Sequence, residues 1–256
     1  MKVGILAGGV GSRLSEETVS RPKPMVEIGS KPILWHIMRY YFQFGHDDFY
    51  VALGYKGDYI KRWFFDHAHL SADLKIRPAH GLVESHGGTA PEDWTVNLIE
   101  TGETTNTGGR IKRLIPHLGP DTFMLTWGDG VGKIDLDALV KFHKSHGKLA
   151  TLTAVRPPAR FGHLDIQGSQ IVDFSEKPQA SEGWINGAFF VLEPEIIDYI
   201  DGDDTLFERE PLQRLAADGQ LMAYHHDDFW ACMDTLRDMV MLNNLWKTDN
   251  APWRVW

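Results

Sequence analysis

Cysteine is nearly absent: Cys232 is the only one in 256 residues, and a single thiol cannot cross-link a chain to itself, so no disulfide framework holds this fold. Long apolar runs are missing too. The best candidate for a membrane span, Pro32 to Phe44, carries His36 and Arg39, and the opening run Val3–Ala7 is shorter than the core of a secretion signal and dissolves into glycine. These absences lead to the expectation of a soluble, cytoplasmic protein. Positive charge is scarce, with 26 Lys and Arg against 35 Asp and Glu and a formal net charge of −9. That balance repels a polyanion from most of the surface and argues against extended contact with nucleic acid. Zinc signatures are lacking as well: there is no H-E-x-x-H and no thiolate cluster, so the pairs His67/His69 and His225/His226 read as polar surface histidines.

What is present is an alternation of short apolar runs with helical patterns. "KVGILA" precedes a helix starting at Pro32, whose residues Ile33, Leu34, Ile37, Met38, Tyr41 and Phe42 form one face and which Gly45 ends. "DFYVALG" then precedes a helix starting near Asp58. This βαβ rhythm predicts an α/β fold: a Rossmann-like, mixed but mostly parallel sheet flanked by helices. Further strands are expected at "DLKIRP", "WTVNLIET" and "TFMLTW", the last delivering "GDG" at its C-terminal end. A helix follows over Asp135–His146, then a mixed or antiparallel sheet extension through "LATLTAV", "HLDI", "QIVDFSEKP" and "WINGAFFVLEP", and an amphipathic helix from Thr235 to Trp246 that should pack back on the body. The glycine-rich stretch 79–93 reads as a surface loop. No repeat or low-complexity linker divides the chain, which is read as one domain.

The first strand ends in Leu6-Ala7-Gly8-Gly9-Val10-Gly11-Ser12-Arg13. Glycines at the C-terminal edge of a parallel strand let phosphate oxygens approach backbone N–H groups closely. Two familiar phosphate loops do not fit. A dinucleotide fingerprint needs a third glycine where Leu14 stands, and a Walker loop needs the missing Gly-Lys-Ser/Thr. What remains is a glycine cradle with its own cations: Arg13, which can grip phosphate through a fork of donors, and Lys23 in "RPKPM", a point charge.

"LAGGVGSRLSEET", "RPKPMVEIG", "KPILWHIM", "GYKGDYIK", "TGETTNTGGRIKRL", "GDGV", "EKP", "INGAFFVL" and "FWACMDTLRD" together resemble the sugar nucleotidyltransferases, over Lys2 to Trp256. "LSEET" marks the likeness to the cytidylyl-transferring branch. The resemblance implies the nucleotide-diphospho-sugar transferase fold, with residues 1–130 binding nucleotide, 131–234 binding sugar and 235–256 forming a C-terminal helix and tail. It implies CTP and glucose 1-phosphate as substrates, with direct attack by a sugar phosphate oxygen on the α-phosphorus and loss of pyrophosphate. The nucleophile is already anionic, so this chemistry needs positioning and charge neutralisation rather than a general base.

By the same resemblance, Arg13, Lys23 and Lys177 are catalytic, Asp129 and Asp234 hold Mg²⁺, Glu176 and Lys177 lie at the sugar phosphate, and Asn186 and Gly187 floor the sugar pocket. Thr105 and Arg110 contact nucleoside or phosphate, Gly128 lies near the sugar, and residues 6 to 13 cradle the nucleotide. Spacing alone leaves Asp129 open between a turn residue and a metal ligand, and Asp234 between a ligand and an acidic residue at a helix start. The sequence departs from the branch at Ala231 and Cys232, where Gln-Pro is usual. The resemblance also implies a homo-oligomer and a role in supplying CDP-linked deoxysugars for bacterial surface polysaccharide. UTP, dTTP or another phosphorylated acceptor stays open, because cytosine and uracil differ by a donor against an acceptor at one ring position and the group that would read it is not located. An oxidoreductase binding a dinucleotide is disfavoured by Leu14. A non-catalytic sugar-nucleotide sensor is disfavoured by the intact Arg13, Lys23, Asp129, Lys177 and Asp234.

Overall fold

The computed structural model describes residues 1–9, 11, 14–70, 72–86, 92–157, 163–167, 170–175 and 183–256. In chain order, β1 (Val3–Leu6) leads through a single helical turn, α1 (Ser15–Thr18), and a 3₁₀ turn at Lys23–Met25 to the short strands β2 (Glu27–Ile28) and β3 (Lys31–Pro32). Then come α2 (Ile33–Gln43), β4 (Asp48–Leu53), α3 (Gly57–Leu70), a hairpin of β5 (Asp73–Arg77) and β6 (Leu82–His86), β7 (Thr95–Glu100) and α4 (Thr107–Leu118). The chain continues with β8 (Phe123–Trp127), β9 (Gly130–Gly132), α5 (Leu136–His146), β10 (Ala150–Val155), the pair β11 (His163–Gln167) and β12 (Gln170–Ser175), and β13 (Ile185–Leu192). It closes with α6 (Glu210–Ala217), β14 (Leu221–His226), β15 (Trp230–Cys232) and α7 (Leu236–Lys247).

Seven strands form the main sheet in the order β14-β10-β13-β8-β1-β4-β7. β1 lies at its heart, parallel to β4 and β8, and β4 is parallel to β7. β13 runs against both of its neighbours, β8 and β10. This is the mixed, mostly parallel sheet with flanking helices that the alternation of runs predicts. The period-2 alternation of strand side chains divides the core into two layers. Val3, Ile5, Val51, Leu53 and Met124 pack with α2 and the C-terminal segment, whereas Leu6, Ala52, Phe123 and Leu125 pack with Ile111, Leu114, Ile115 and Leu118 of α4. Each of these side chains is buried, a gain of about 1.5–3 kcal/mol for a full-sized aliphatic group.

The C-terminal segment returns to the body as expected. Trp253 is wholly buried and stacks on Phe229, with ring centroids 5.6 Å apart. Trp246 lies over Gly29, where a Cβ would come within 2.4 Å of the indole nitrogen. His36, buried at the middle of this aromatic group, donates from Nε2 to the Ile28 carbonyl and accepts from the Trp253 indole at Nδ1, the pattern of a neutral ring. No helix among the described residues is long and apolar enough to cross a membrane.

The strand expected at "DLKIRP" is present as β5, but it pairs antiparallel with β6 in a separate hairpin, and its Asp73, Lys75 and Arg77 are exposed, unlike the continuous apolar run of a central parallel strand. The stretch 79–93 is therefore not a plain loop, since residues 82–86 form the second strand of that hairpin; residues 87–91 lie outside the described residues. The helix α6 and the strand β14 carry little signal in the sequence. The helix has two turns, too short for a clear period, and β14 ends in two histidines that mask its alternation.

Candidate active site

The C-terminal ends of β1 and β8 open onto a cleft of about 290 Å³, the position at which open α/β sheets receive ligands. Leu6, Ala7, Gly8, Gly9, Gly11, Lys23, Thr105, Arg110, Gly128 and Asp129 all line it, so ten of the residues singled out from the sequence meet in one place. Val10, Ser12, Arg13, Glu176 and Lys177 lie outside the described residues. Asn186 and Gly187 sit on β13 and do not line the cleft. The Asn186 side chain accepts from the Ala188 N–H at 2.7 Å, and a Cβ on Gly187 would meet Val155 Cγ1 at 2.6 Å. Close packing against β10 is thus reason enough for that glycine.

The cradle is shaped by its glycines. Gly11 has φ = 67°, in the left-handed region, and a Cβ there would lie 2.9 Å from Thr18 Cγ2 and 3.0 Å from Lys23 Cβ, so the turn admits no side chain. The helix that follows is only one turn long and supplies no extended dipole; the cleft relies on side-chain cations instead.

Two of those cations are buried, and they are held in different ways. Lys23, 8 % exposed, follows Pro22 into the 3₁₀ turn and places its ammonium 2.6 Å from Asp129 Oδ2 and 2.5 Å from Asp234 Oδ1. Burial by itself would lower its pKa, but the charge of Asp129, a contribution from Cys232 and the hydrogen bonds to both carboxylates outweigh it, and the ammonium is held above the usual lysine range. Asp129 and Asp234 stand far apart in the chain but are brought together by a two-stranded ladder: β9 pairs with β15, Gly130 opposite Cys232, and Met233 N–H donates to the Asp129 carbonyl at 2.8 Å. A capping box at the start of α7 then fixes the segment, with Asp238 accepting from the N–H groups of Asp234 and Thr235.

Arg110, 4 % exposed, makes no ion pair with a carboxylate among the described residues. Its Nη1 donates to the carbonyls of Leu53 and Gly102 and to Thr101 Oγ1, and its Nη2 to the carbonyls of Gly8 and Glu103, at 2.8 to 3.2 Å. Burial, then Arg113, holds its pKa below the ordinary arginine value. The terminal nitrogens hydrogen-bond to the protein's own oxygens, so Arg110 braces the glycine turn against the 101–103 segment while lining the cleft. Gly8 and Gly54 make room for it, since a Cβ on either would fall within 2.3 Å of Nη1.

Several lining residues escaped the sequence reading. Trp127, directly before Gly128-Asp129 at the end of a buried strand, was legible by position. Asn106 and Thr107 lie at the start of α4, within "TGETTNTGGR". Glu208, which does not line the cleft but accepts from Trp127 Nε1 and from Thr107 Oγ1 of the lining, carries no local signal. Cys232 also converges on the site: one ligand atom from each of Asp129, Cys232 and Asp234 can be chosen so that all lie within 4.8 Å of one another. The two carboxylates are hard oxygen donors of the kind that hold Mg²⁺ beside phosphate, and an ammonium already bridges them as a monovalent stand-in, so the residues fit a divalent cation.

The family model described as nucleotidyl transferase matches residues 2–247. The chain is 51% identical to the glucose-1-phosphate cytidylyltransferase of Salmonella typhi and 42% identical to the probable glucose-1-phosphate cytidylyltransferase of Bacillus subtilis, in each case over the whole of both chains. Among solved structures it is similar to HddC from Yersinia pseudotuberculosis complexed with GMP-PN, with a TM-score of 0.71 at 24% identity over 96% of this chain and 99% of that one.

Proposed function

The chain belongs to the nucleotidyl transferase family, and from that premise we propose that it transfers the cytidylyl group of CTP to α-D-glucose 1-phosphate, forming CDP-glucose and pyrophosphate. The observation that carries this reading is the pairing of a glycine-walled cleft with the Lys23–Asp129–Asp234 floor, in a chain half identical over its whole length to a glucose-1-phosphate cytidylyltransferase. The floor sums to −1, from one ammonium and two carboxylates, and suits a cation brought against phosphate. The wall braced by Arg110 carries a positive charge that no carboxylate among the described residues neutralises, and suits the phosphates themselves.

In this proposal Gly8, Gly9 and Gly11 admit the triphosphate close to the backbone, and Arg13 and Lys23 stabilise the departing pyrophosphate. Lys177 draws in the sugar phosphate, and Asn186 and Gly187 approach the hexose. Mg²⁺ held by Asp129 and Asp234 would neutralise charge on the phosphates. The chain's own contribution is alignment: the attacking oxygen is already anionic, so holding it in line with the leaving group and screening the charge between them supplies the rate. Arg110 acts at one remove, by fixing the Gly8 carbonyl and hence the turn.

The test is pyrophosphate release from glucose 1-phosphate against CTP, UTP, dTTP and GTP. CTP is expected to lead by at least about a hundredfold in kcat/KM, the discrimination a site built around one hydrogen bond readily exceeds. Equal release from CTP and UTP would remove the cytidylyl assignment and leave the family.

A further inference from the structure

Asn106, Thr107 and Trp127 form an uncharged stretch of the cleft wall, and a segment outside the cleft holds all three. Two glycines let that segment reach them. Gly108 and Gly109 stand in the first turn of α4, where a Cβ on Gly108 would lie 2.7 Å from the Thr205 carbonyl oxygen and one on Gly109 2.6 Å from Asp203 Cα. Without side chains there, residues 203–205 lie directly on the helix start. The Thr205 carbonyl accepts from Gly108 N–H at 2.8 Å, the Asp203 carbonyl from Asn106 N–H at 2.8 Å, and the Asp204 carbonyl from the Asn106 side-chain amide at 2.9 Å. The Gly108 N–H, a group that a helix start can offer to phosphate, is thus taken up by the chain itself.

Glu208, three residues further on, closes the segment as a clamp. Its Oε1 accepts from Trp127 Nε1 at 2.9 Å and its Oε2 from Thr107 Oγ1 at 2.6 Å, so one carboxylate spans the last residue of β8 and the first of α4. Thr107 Oγ1 itself accepts from Phe207 N–H at 2.9 Å, which leaves its proton for Glu208. The indole rests on Phe190, with ring centroids 5.0 Å apart, and on Phe207 at 6.5 Å, both wholly buried. Packing fixes the depth of the ring, and the bond to Glu208 fixes its rotation. We propose that Glu208 is a positioning residue for nucleotide binding: through Trp127 and Thr107 it sets the wall that receives the neutral part of CTP, its nucleoside. The inference rests on the reading of the cleft as a CTP site. A rigid aromatic wall suits a flat base, and a carboxylate that does not line the cleft can hold that wall without setting its charge against the triphosphate.

Steady-state pyrophosphate release, together with calorimetric titration of the full chain with CTP and MgCl₂ in the absence of glucose 1-phosphate, tests this. Glu208→Ala should raise both the KM and the Kd for CTP by at least about tenfold, the order of one charge-assisted hydrogen bond, while KM for glucose 1-phosphate stays within about twofold. Glu208→Gln keeps an acceptor for the indole and should recover most of the CTP affinity. In a Trp127→Phe background, which has no indole N–H, the loss caused by Glu208→Ala should shrink to about threefold or less, because the two residues act as a unit. Circular dichroism verifies that each variant is folded. The inference is overturned if Glu208→Ala binds CTP as tightly as wild type, if KM rises equally for both substrates, if Glu208→Gln is no better than Glu208→Ala, or if the loss is undiminished in Trp127→Phe. Wild-type protein that takes up no CTP would overturn the CTP reading and this inference with it, whereas tight wild-type binding that ignores Glu208 would overturn the inference alone.

Discussion

Lys23 and Arg110 are both buried cations on the same cleft, and they could hardly be partnered more differently. Lys23 faces two carboxylates, whereas Arg110 faces four carbonyls and a hydroxyl. A cation neutralised by anions lends little field to a ligand, and with a surplus carboxylate it asks for another cation. A cation solvated only by neutral dipoles keeps its field, at the cost of the desolvation that draws its pKa down. One side of the cleft is therefore built to receive positive charge and the other to face negative charge, the pair of demands that a metal-bound polyphosphate makes.

The largest effect should come from breaking the carboxylate-held side. Lys23→Met leaves two partly buried carboxylates facing each other without a counter-charge, and kcat/KM for pyrophosphate release should fall about a thousandfold, or about 4 kcal/mol. A fall of less than about tenfold would mean that Lys23 is only a structural pair. Next is the dipole-held side. Arg110→Ala strands buried acceptors in the Gly8 turn and should destabilise the fold by about 3 kcal/mol, lowering Tm by roughly 6–12 °C. An unchanged Tm would refute the bracing role.

A buried base kept neutral sharpens the contrast. Burial holds His36 down to about 4, against an ordinary value of 6.5. The unfolded chain therefore takes up a proton that the native ring excludes, and stability should fall as pH drops from about 6.5 to about 4, by about 3 kcal/mol from this group. His46 is likewise held at about 4 by burial, then by the N-terminal amine, and adds to the same window. Urea midpoints measured across that range check the sign, and a flat profile would contradict it. Smaller still, Asp129→Asn should raise the Mg²⁺ concentration for half-maximal activity at least about tenfold; overlaying magnesium titrations would exclude it as a ligand. Smallest is Thr235→Ala, which removes one half of the capping box behind Asp234 and should cost about 1 kcal/mol by thermal melting.

The same contrast explains what could be read beforehand. The glycine turn, Lys23 and the strand ending in Gly128-Asp129 are local patterns, and each lay where a βαβ reading puts it, as did α2 with its face of Ile33, Leu34, Ile37 and Met38. Residue type also points to Arg110, but nothing in "TGGRIK" reveals that five oxygens from three separate segments close on its guanidinium. The partners of Glu208, the placement of Cys232 beside the aspartates and the pairing of β5 with β6 are illegible for a related reason. Their significance comes from partners distant in sequence, or from exposure that composition does not encode: Ile76 and Val83 suit a strand whether or not the main sheet takes it in.

The short β9/β15 ladder acts as a caliper. Its three rungs set the gap between two aspartates that are distant in the chain and that Lys23 bridges. Sliding one strand by a single residue would carry Asp234 about 3.3 Å along the strand and turn its side chain to the opposite face. Insertions or deletions in this pair of strands should thus be far less tolerable than ones of equal size in the outlying β5/β6 hairpin, and a library of one-residue insertions would map that calibration directly.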